Sequence, residues 1–337
     1  MGRQRWLLMV ILALTAASIY VLTQFPLKLG LDLRGGSQLT IQVNPTAEIK
    51  TITEQQLEAV QKVIENRING LGVSEPVVQT VGQNQISVQL PGIDDPGQAQ
   101  RVLGGTAQLE FREQKAGSEG QFGAENVILR ELQIKQAALR NSQDQAAIDE
   151  NAAAIKRSSE AIAGLFEKPA LIGKDLTDAY PQQSGADQWA VGISFSPSGG
   201  EKFAELTKKL AGTGRSIGIF LDNVPISTPT VDIQYAQTGI QGGGATISGN
   251  FDAKSANELG IQLKGGSLPL PIQIVENRTV GASLGRDSIQ RSVYAGLGGL
   301  FLVFLFMVLY YRLLGIIASI ALVIYALLTL AAFSADS

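Results

Sequence analysis

The chain has 337 residues, no cysteine, no histidine and a net charge of −3. Disulfides, thiol nucleophiles, Cys/His metal centres and the usual imidazole base are therefore excluded, and the charge balance gives no nucleic-acid footprint. The length is sufficient for a real core together with membrane anchors.

Between Arg5 and Lys28 lies the charge-free run WLLMVILALTAASIYVLTQF, close to the roughly 20 residues that cross a bilayer as a helix. A cleaved signal peptide is the competing reading, because Ala16–Ser18 loosely resembles a cleavage site. The apolar run continues past it to Phe25, which is long for a signal core, so a retained transmembrane helix over 6–25 is expected.

The segment after Gly35-Gly36 alternates, with Leu39, Ile41 and Val43 on one face, and reads as a half-buried strand. Thr53 and Gln56 form a capping box that opens a helix with Leu57, Val60, Ile64, Ile68 and Leu71 on its apolar face and Gly70 as its cap. Val77–Val81 and Ile86–Leu90 read as a hairpin, and Asp95 with Pro96 opens a short helix that ends at Gly104-Gly105. A strand through Ala107, Leu109 and Phe111 follows. The order strand, helix, strand, strand, helix, strand is the ferredoxin-like split βαβ arrangement, over residues 37–113.

From 114 to 250 the pattern is that of an inserted α/β head. Ile128, Leu132 and Leu139, then Ile148, Ile155 and Ile162, fall at helical and heptad-like spacing, which predicts a helical hairpin over 125–166. Val191, Ile193 and Phe195 form a strand, Ser198 and Glu201 a second capping box, and Phe203, Leu206 and Leu210 the face of its helix. Ile217–Leu221 is a strand ending in an Asp222-Asn223 turn. The base resumes over 251–287, where Asp252 caps a helix that Gly265-Gly266 releases into a strand at Ile272 and Ile274. At both helix exits a glycine with positive φ is expected.

Two further charge-free runs, 292–311 and 313–333, flank Arg312. Arg3, Arg5 and Arg312 place the N-terminus and that turn in the cytoplasm, and residues from about 28 to 290 outside. The fold class expected is thus α+β: a ferredoxin-like base on the outer side (28–113, then 251–287), an inserted head, and flanking transmembrane helices.

LGLDLRGGSQL (Leu29–Leu39), directly after the first apolar run, resembles the signature of the SecD family of protein-export subunits. VIENRINGLGVSEPVVQ (Val63–Gln79), GTGRSIGIFLDN (Gly212–Asn223) and the stretch Leu263–Leu300 are similar to further parts of that family, whereas 114–165 is similar to nothing specific. The resemblance implies a multi-pass protein of the bacterial inner membrane. Its periplasmic domain would capture unfolded exported polypeptides leaving the SecYEG translocon, with SecF as partner and the proton motive force as driver. It implies no enzyme, no cofactor and no metal. A small-molecule efflux component of the same superfamily, or a passive translocon scaffold, are the alternatives. Members of the family have six transmembrane helices and an acidic residue of the proton path in the fourth, so this chain reads as a front part that ends in the third.

Asp32 and Arg34, two apart on what reads as an extended segment, project to one side. With Gly35 and Gly36 as pivot, Gly265 and Gly266 at the return, and Asn277 and Arg278 in the exit segment, they suggest a latch between base and membrane helix. The competing reading is a static ion pair at a domain edge. For client contact the candidates are Phe195, Ile219 and Phe220, which strand addition or an apolar groove would use. Alternating Ile and Phe in a strand are otherwise plain core.

Overall fold

A computed structural model describes residues 2–24, 31–46, 49–93, 95–139, 144–185 and 188–336. They divide into two compact units, 1–38 with 89–94 and 278–337, and 39–88 with 95–277.

The first unit is largely helical: α1 (Gly2–Gln24), α2 (Leu31–Arg34) and, after the second unit, α9 (Ala282–Tyr311) and α10 (Leu313–Asp336), with α10 packed on both α1 and α9. Gln290–Tyr311 and Leu313–Ala332 are long and apolar enough to cross a membrane, and the apolar part of α1 is the shorter Met9–Gln24. Arg312 joins α9 to α10 at a φ of 49°. Gly315 is required beside that turn, because a Cβ there would collide with the Met307 carbonyl.

The second unit opens with β1 (Gly36–Val43), whose buried and half-buried residues alternate as a strand covered on one face must. Next come α3 (Glu54–Gly70), β2 (Val77–Val81), β3 (Gln85–Pro91) and α4 (Pro96–Gly104). The Thr53/Gln56 capping box and the Asp95 cap form as the sequence specifies. The α3 cap is Leu71 rather than Gly70, and the left-handed position falls one residue later, at Gly72 (φ 71°).

The strand β4 (Leu109–Gln114) departs from expectation. It does not complete the first sheet, whose order is β11-β1-β3-β2, with the last place taken by β11 (Ile272–Val280). Instead β4 sits inside a second sheet, between β5 (Phe166–Ile172) and β8 (Ile217–Leu221), with β9 (Val224–Ser227) outermost. The cause is packing. Leu109 and Phe111 are fully buried among Val191, Phe195, Phe203, Leu206, Ile217 and Ile219, residues of the inserted region.

The helical hairpin is α5 (Glu119–Leu139) and α6 (Gln145–Gly164), beginning earlier than 125. A third sheet, β10-β7-β6, joins β6 (Leu176–Gln183), β7 (Trp189–Phe195) and β10 (Gly244–Phe251), all antiparallel. The helix α7 (Pro197–Leu210) is capped by Ser196, which accepts from Gly199 N–H, rather than by the expected Ser198 pair. The helix α8 (Ala253–Gly265) begins at Asp252 as expected. Together α7, α8 and the second and third sheets enclose one apolar core.

Candidate functional site

The chain passes from the first sheet to the inserted region through 105–108, and returns after α8 through 266–271. Both passages meet at Arg67. This residue lies seven positions after Val60, so helical periodicity places it on the buried face of α3, and it is fully buried. Its Nη1 donates to the carbonyls of Val102 (3.1 Å), Leu103 (3.2 Å) and Gly105, and its Nη2 to those of Thr106 (3.3 Å) and Gly266 (3.0 Å). The carbonyls at the C-terminal ends of α4 and α8, which have no helical partner, thereby find donors. Burial pushes the guanidinium down to about 10, and the charge of Asp222 opposes that fall. Gly265 is needed here, since a Cβ would run into the Arg67 stem.

On the other side of the same passage stands Asp222, in the two-residue β8–β9 turn where both Asp222 (φ 51°) and Asn223 (φ 67°) are left-handed, as a type I′ hairpin demands. Its carboxylate accepts from the Thr106 hydroxyl (2.6 Å), Ala107 N–H (3.2 Å) and Gln108 N–H (2.9 Å). Ala107 is held at a φ of 53°, a conformation an alanine rarely adopts. Positive φ is thus found at Gly266 (91°) as expected, while Gly105 has a φ of −75° and the strain moves to Ala107.

At the first glycine pair the segment before Gly35 is a helical turn, α2, not an extended strand. The extended geometry expected for Leu31–Arg34 is therefore not what forms there. The Asp32 side chain lies outside the described residues. Arg34 runs over Gly92, whose added Cβ would come within 3.2 Å of Nε. Gly35 (φ 76°) and Gly36 (φ 138°) turn the chain, the Gly35 carbonyl accepts from Gly92 N–H (2.8 Å), and a Cβ on Gly36 would strike the Leu90 carbonyl. In the exit strand Asn277 and Arg278 are exposed, and neighbouring Glu276 accepts from the Thr40 hydroxyl at 3.3 Å.

The client candidates Phe195, Ile219 and Phe220 lie in the core of the second unit. Phe195 and Ile219 are 6 % and 4 % exposed and Phe220 is fully buried. Phe195 stacks on Phe203 and meets Phe111 edge-on, and Phe220 lies against Phe166 under the Arg112 guanidinium. These rings belong mainly to the core, and Phe195 alone of the three also lines an open groove of about 520 Å³, beside Pro197, Gly200, Glu201 and Gln241. A second open groove, of about 670 Å³, lies between the end of α3, the edge strand β6 and α8. Asn66, Asn69, Tyr180, Pro181, Asn257 and Lys264 line it. Gly70 keeps α3 close to Ile261 of α8 and so shapes its floor. Helical spacing in the sequence marked the apolar face of α3 and the Asp252 cap marked α8, not these polar residues beside them.

An α+β unit inserted between apolar helices, with a Gly-Gly turn at its entry, defines a membrane-associated class of protein, and three family models match it. The SecD/SecF GG motif covers 20–47, the N-terminal part of the SecDF P1 domain 57–116, and the SecDF P1 head subdomain 150–270. The protein translocase subunit SecD of Synechocystis sp. is 56 % identical over 340 residues, covering 99 % of this chain and 72 % of its own length. That of Prochlorococcus marinus is 43 % identical over 366 residues, covering 99 % and 74 %. A crystal structure of SecDF in a super-membrane-facing form, 29 % identical, superposes with a TM-score of 0.57 over 98 % of this chain and 43 % of that one. The chain belongs to the SecD family of protein translocase subunits.

Proposed function

We propose that this chain serves protein export as the SecD part of a SecDF-type assembly, holding a translocating polypeptide on the outer side of the bacterial inner membrane. In this reading α1, α9 and α10 span the bilayer, the N-terminus is cytoplasmic, and residues 39–277 form a periplasmic domain. The first sheet is a ferredoxin-like base: its order β11-β1-β3-β2 supports this, with β11 as the fourth strand. The second and third sheets form the head. SecF and the SecYEG translocon are the partners, and the proton motive force acts through the assembly rather than through any catalytic chemistry of this chain. One relative by structure is a SecDF described as a membrane component that enhances protein export.

The observation that carries the reading is the amide-lined groove. Asn66, Asn69 and Asn257 each offer donors and an acceptor beside the edge strand β6. Such groups match the polypeptide backbone, which every client shares whatever its side chains. The test is site-specific photo-crosslinking from Tyr180 and Asn257 in the full-length protein during export of a stalled precursor, with and without a proton gradient. Crosslinks to the precursor that change with the gradient are expected. Crosslinks confined to neighbouring membrane proteins would leave a scaffold in place of a client holder.

A further inference from the structure

The hairpin α5–α6 is built inside out. Its interior holds Asn151, Ser158 and Ser159, with the Asn151 amide donating to the Leu132 carbonyl (3.0 Å) and to Gln136 (2.7 Å), while Ser158 reaches Glu125. Leu129 and Ile162 are its buried apolar residues, where it meets Phe166 and Phe220. On the opposite side of α5, Val127, Ile128 and Ile134 are 59 %, 46 % and 66 % exposed.

These exposed residues are ordered. Ala124, Val127, Glu131, Ile134 and Ala138 are all exposed and recur at alternating spacings of three and four, the seam that receives a second helix in a coiled coil. Leu129 lies opposite, at the position that faces the core. Glu131 interrupts the seam at its centre, and Arg130 and Lys135 flank it, none of the three in an ion pair among the described residues. Residues 117–149, which include this seam, fall between the family models.

We propose that the outer face of α5 docks an amphipathic helix of a partner protein, one with a small apolar seam, a cation at its centre to meet Glu131, and carboxylates along its flanks to meet Arg130 and Lys135. Charge selects this occupant over the others. A second copy of α5 would set Glu131 against Glu131 and bring the basic flanks together, in either orientation. An extended client presents its side chains at a spacing of two, which does not fit a helical seam. A lipid surface suits the basic flanks, but would require Glu131 to enter the acyl boundary.

The experiment uses the full chain in nanodiscs and a synthetic helix with an Ala/Leu seam, glutamate flanks and one central lysine. Fluorescence anisotropy is expected to show saturable binding that Val127→Asp with Ile134→Asp abolishes. Glu131→Lys is expected to weaken binding at least about tenfold, which corresponds to about 1.4 kcal/mol, and replacing the peptide's central lysine by glutamate should restore it. Circular dichroism of each variant verifies that the hairpin remains helical. Indifference to the Glu131 swap, or absence of binding, overturns the proposal. Self-association of the chain that the Val127/Ile134 variant removes would assign the face to a second copy. Co-flotation with protein-free anionic vesicles, lost in Arg130→Gln with Lys135→Gln, would assign it to lipid, and either outcome also overturns the proposal.

Discussion

Arg67 donates to the carbonyl of Gly266 at 3.0 Å, across 199 positions of sequence, and the same guanidinium holds the carbonyls of Gly105 and Thr106. One side chain therefore ties the outgoing and the returning passages between the first sheet and the inserted region. Replacing it by methionine keeps the volume but leaves several buried carbonyls without donors. A loss of about 3 to 5 kcal/mol is expected, read from the denaturant midpoint of Trp189 fluorescence. A lysine, with one compact ammonium in place of the fork, should recover only part of it. An unchanged midpoint for the methionine variant would show that the carbonyls are satisfied without Arg67.

Asp222 acts on the other end of the same passage. Its carboxylate supports the left-handed Ala107 through the N–H groups of residues 107 and 108. Ala107→Gly should stabilise the unit by about 1 kcal/mol, because the left-handed conformation costs an alanine roughly that much. Asp222→Ala should cost about 2 kcal/mol. The two effects should couple: with glycine at 107 the loss from Asp222→Ala shrinks, and a double-mutant cycle measures by how much. Strict additivity would separate the strain from the carboxylate.

Much of this architecture is legible in the sequence, and what is not has physical reasons. Caps act within four residues, so Thr53, Asp95 and Asp252 announce their helices. The destination of β4 is not local. Leu109 and Phe111 alternate equally well for either sheet, and only the company of Phe195 and Phe203 decides between them. The same limit explains the client candidates, since exposure of a strand's apolar face depends on what covers it. On α5, heptad spacing pointed to Ile128, while packing against Phe166 and Phe220 turned Leu129 inward instead. Arg67 left a trace, a charge recurring on an otherwise apolar helix face, but its partners are backbone carbonyls that no residue pattern encodes.

The exposed Asp95 carboxylate, held by hydrogen bonds from the Lys254 ammonium (2.6 Å) and Gln98 N–H (3.0 Å), falls to about 2. A carboxylate lowered in the folded state stabilises the fold at pH values above its unfolded value, near 3.9, and loses that contribution as pH falls toward 2. Asp178, lowered by Lys264, acts in the same direction. Asp95→Asn should therefore flatten part of the stability loss between about pH 5 and pH 2 while leaving the neutral-pH slope unchanged. A titration of the thermal midpoint measures it, and superimposable acid limbs for the two proteins would contradict the assignment.

Gly36 combines two requirements that no other residue meets: a φ of 138° and contact with the Leu90 carbonyl, where a Cβ would collide. Gly36→Ala should cost more than about 3 kcal/mol, since backbone strain and a steric clash add. Gly35 has a φ of 76°, so Gly35→Ala carries a conformational penalty of about 1 to 2 kcal/mol. Gly35→Asn should be milder still, because asparagine tolerates the left-handed region. Limited proteolysis of the full chain in nanodiscs ranks the variants. The order Gly36→Ala, Gly35→Ala, Gly35→Asn from most to least cleaved is expected. Equal resistance of Gly36→Ala and wild type would mean that the turn moves freely enough to admit a side chain, and that the close approach to Leu90 does not hold the entry to β1 in place.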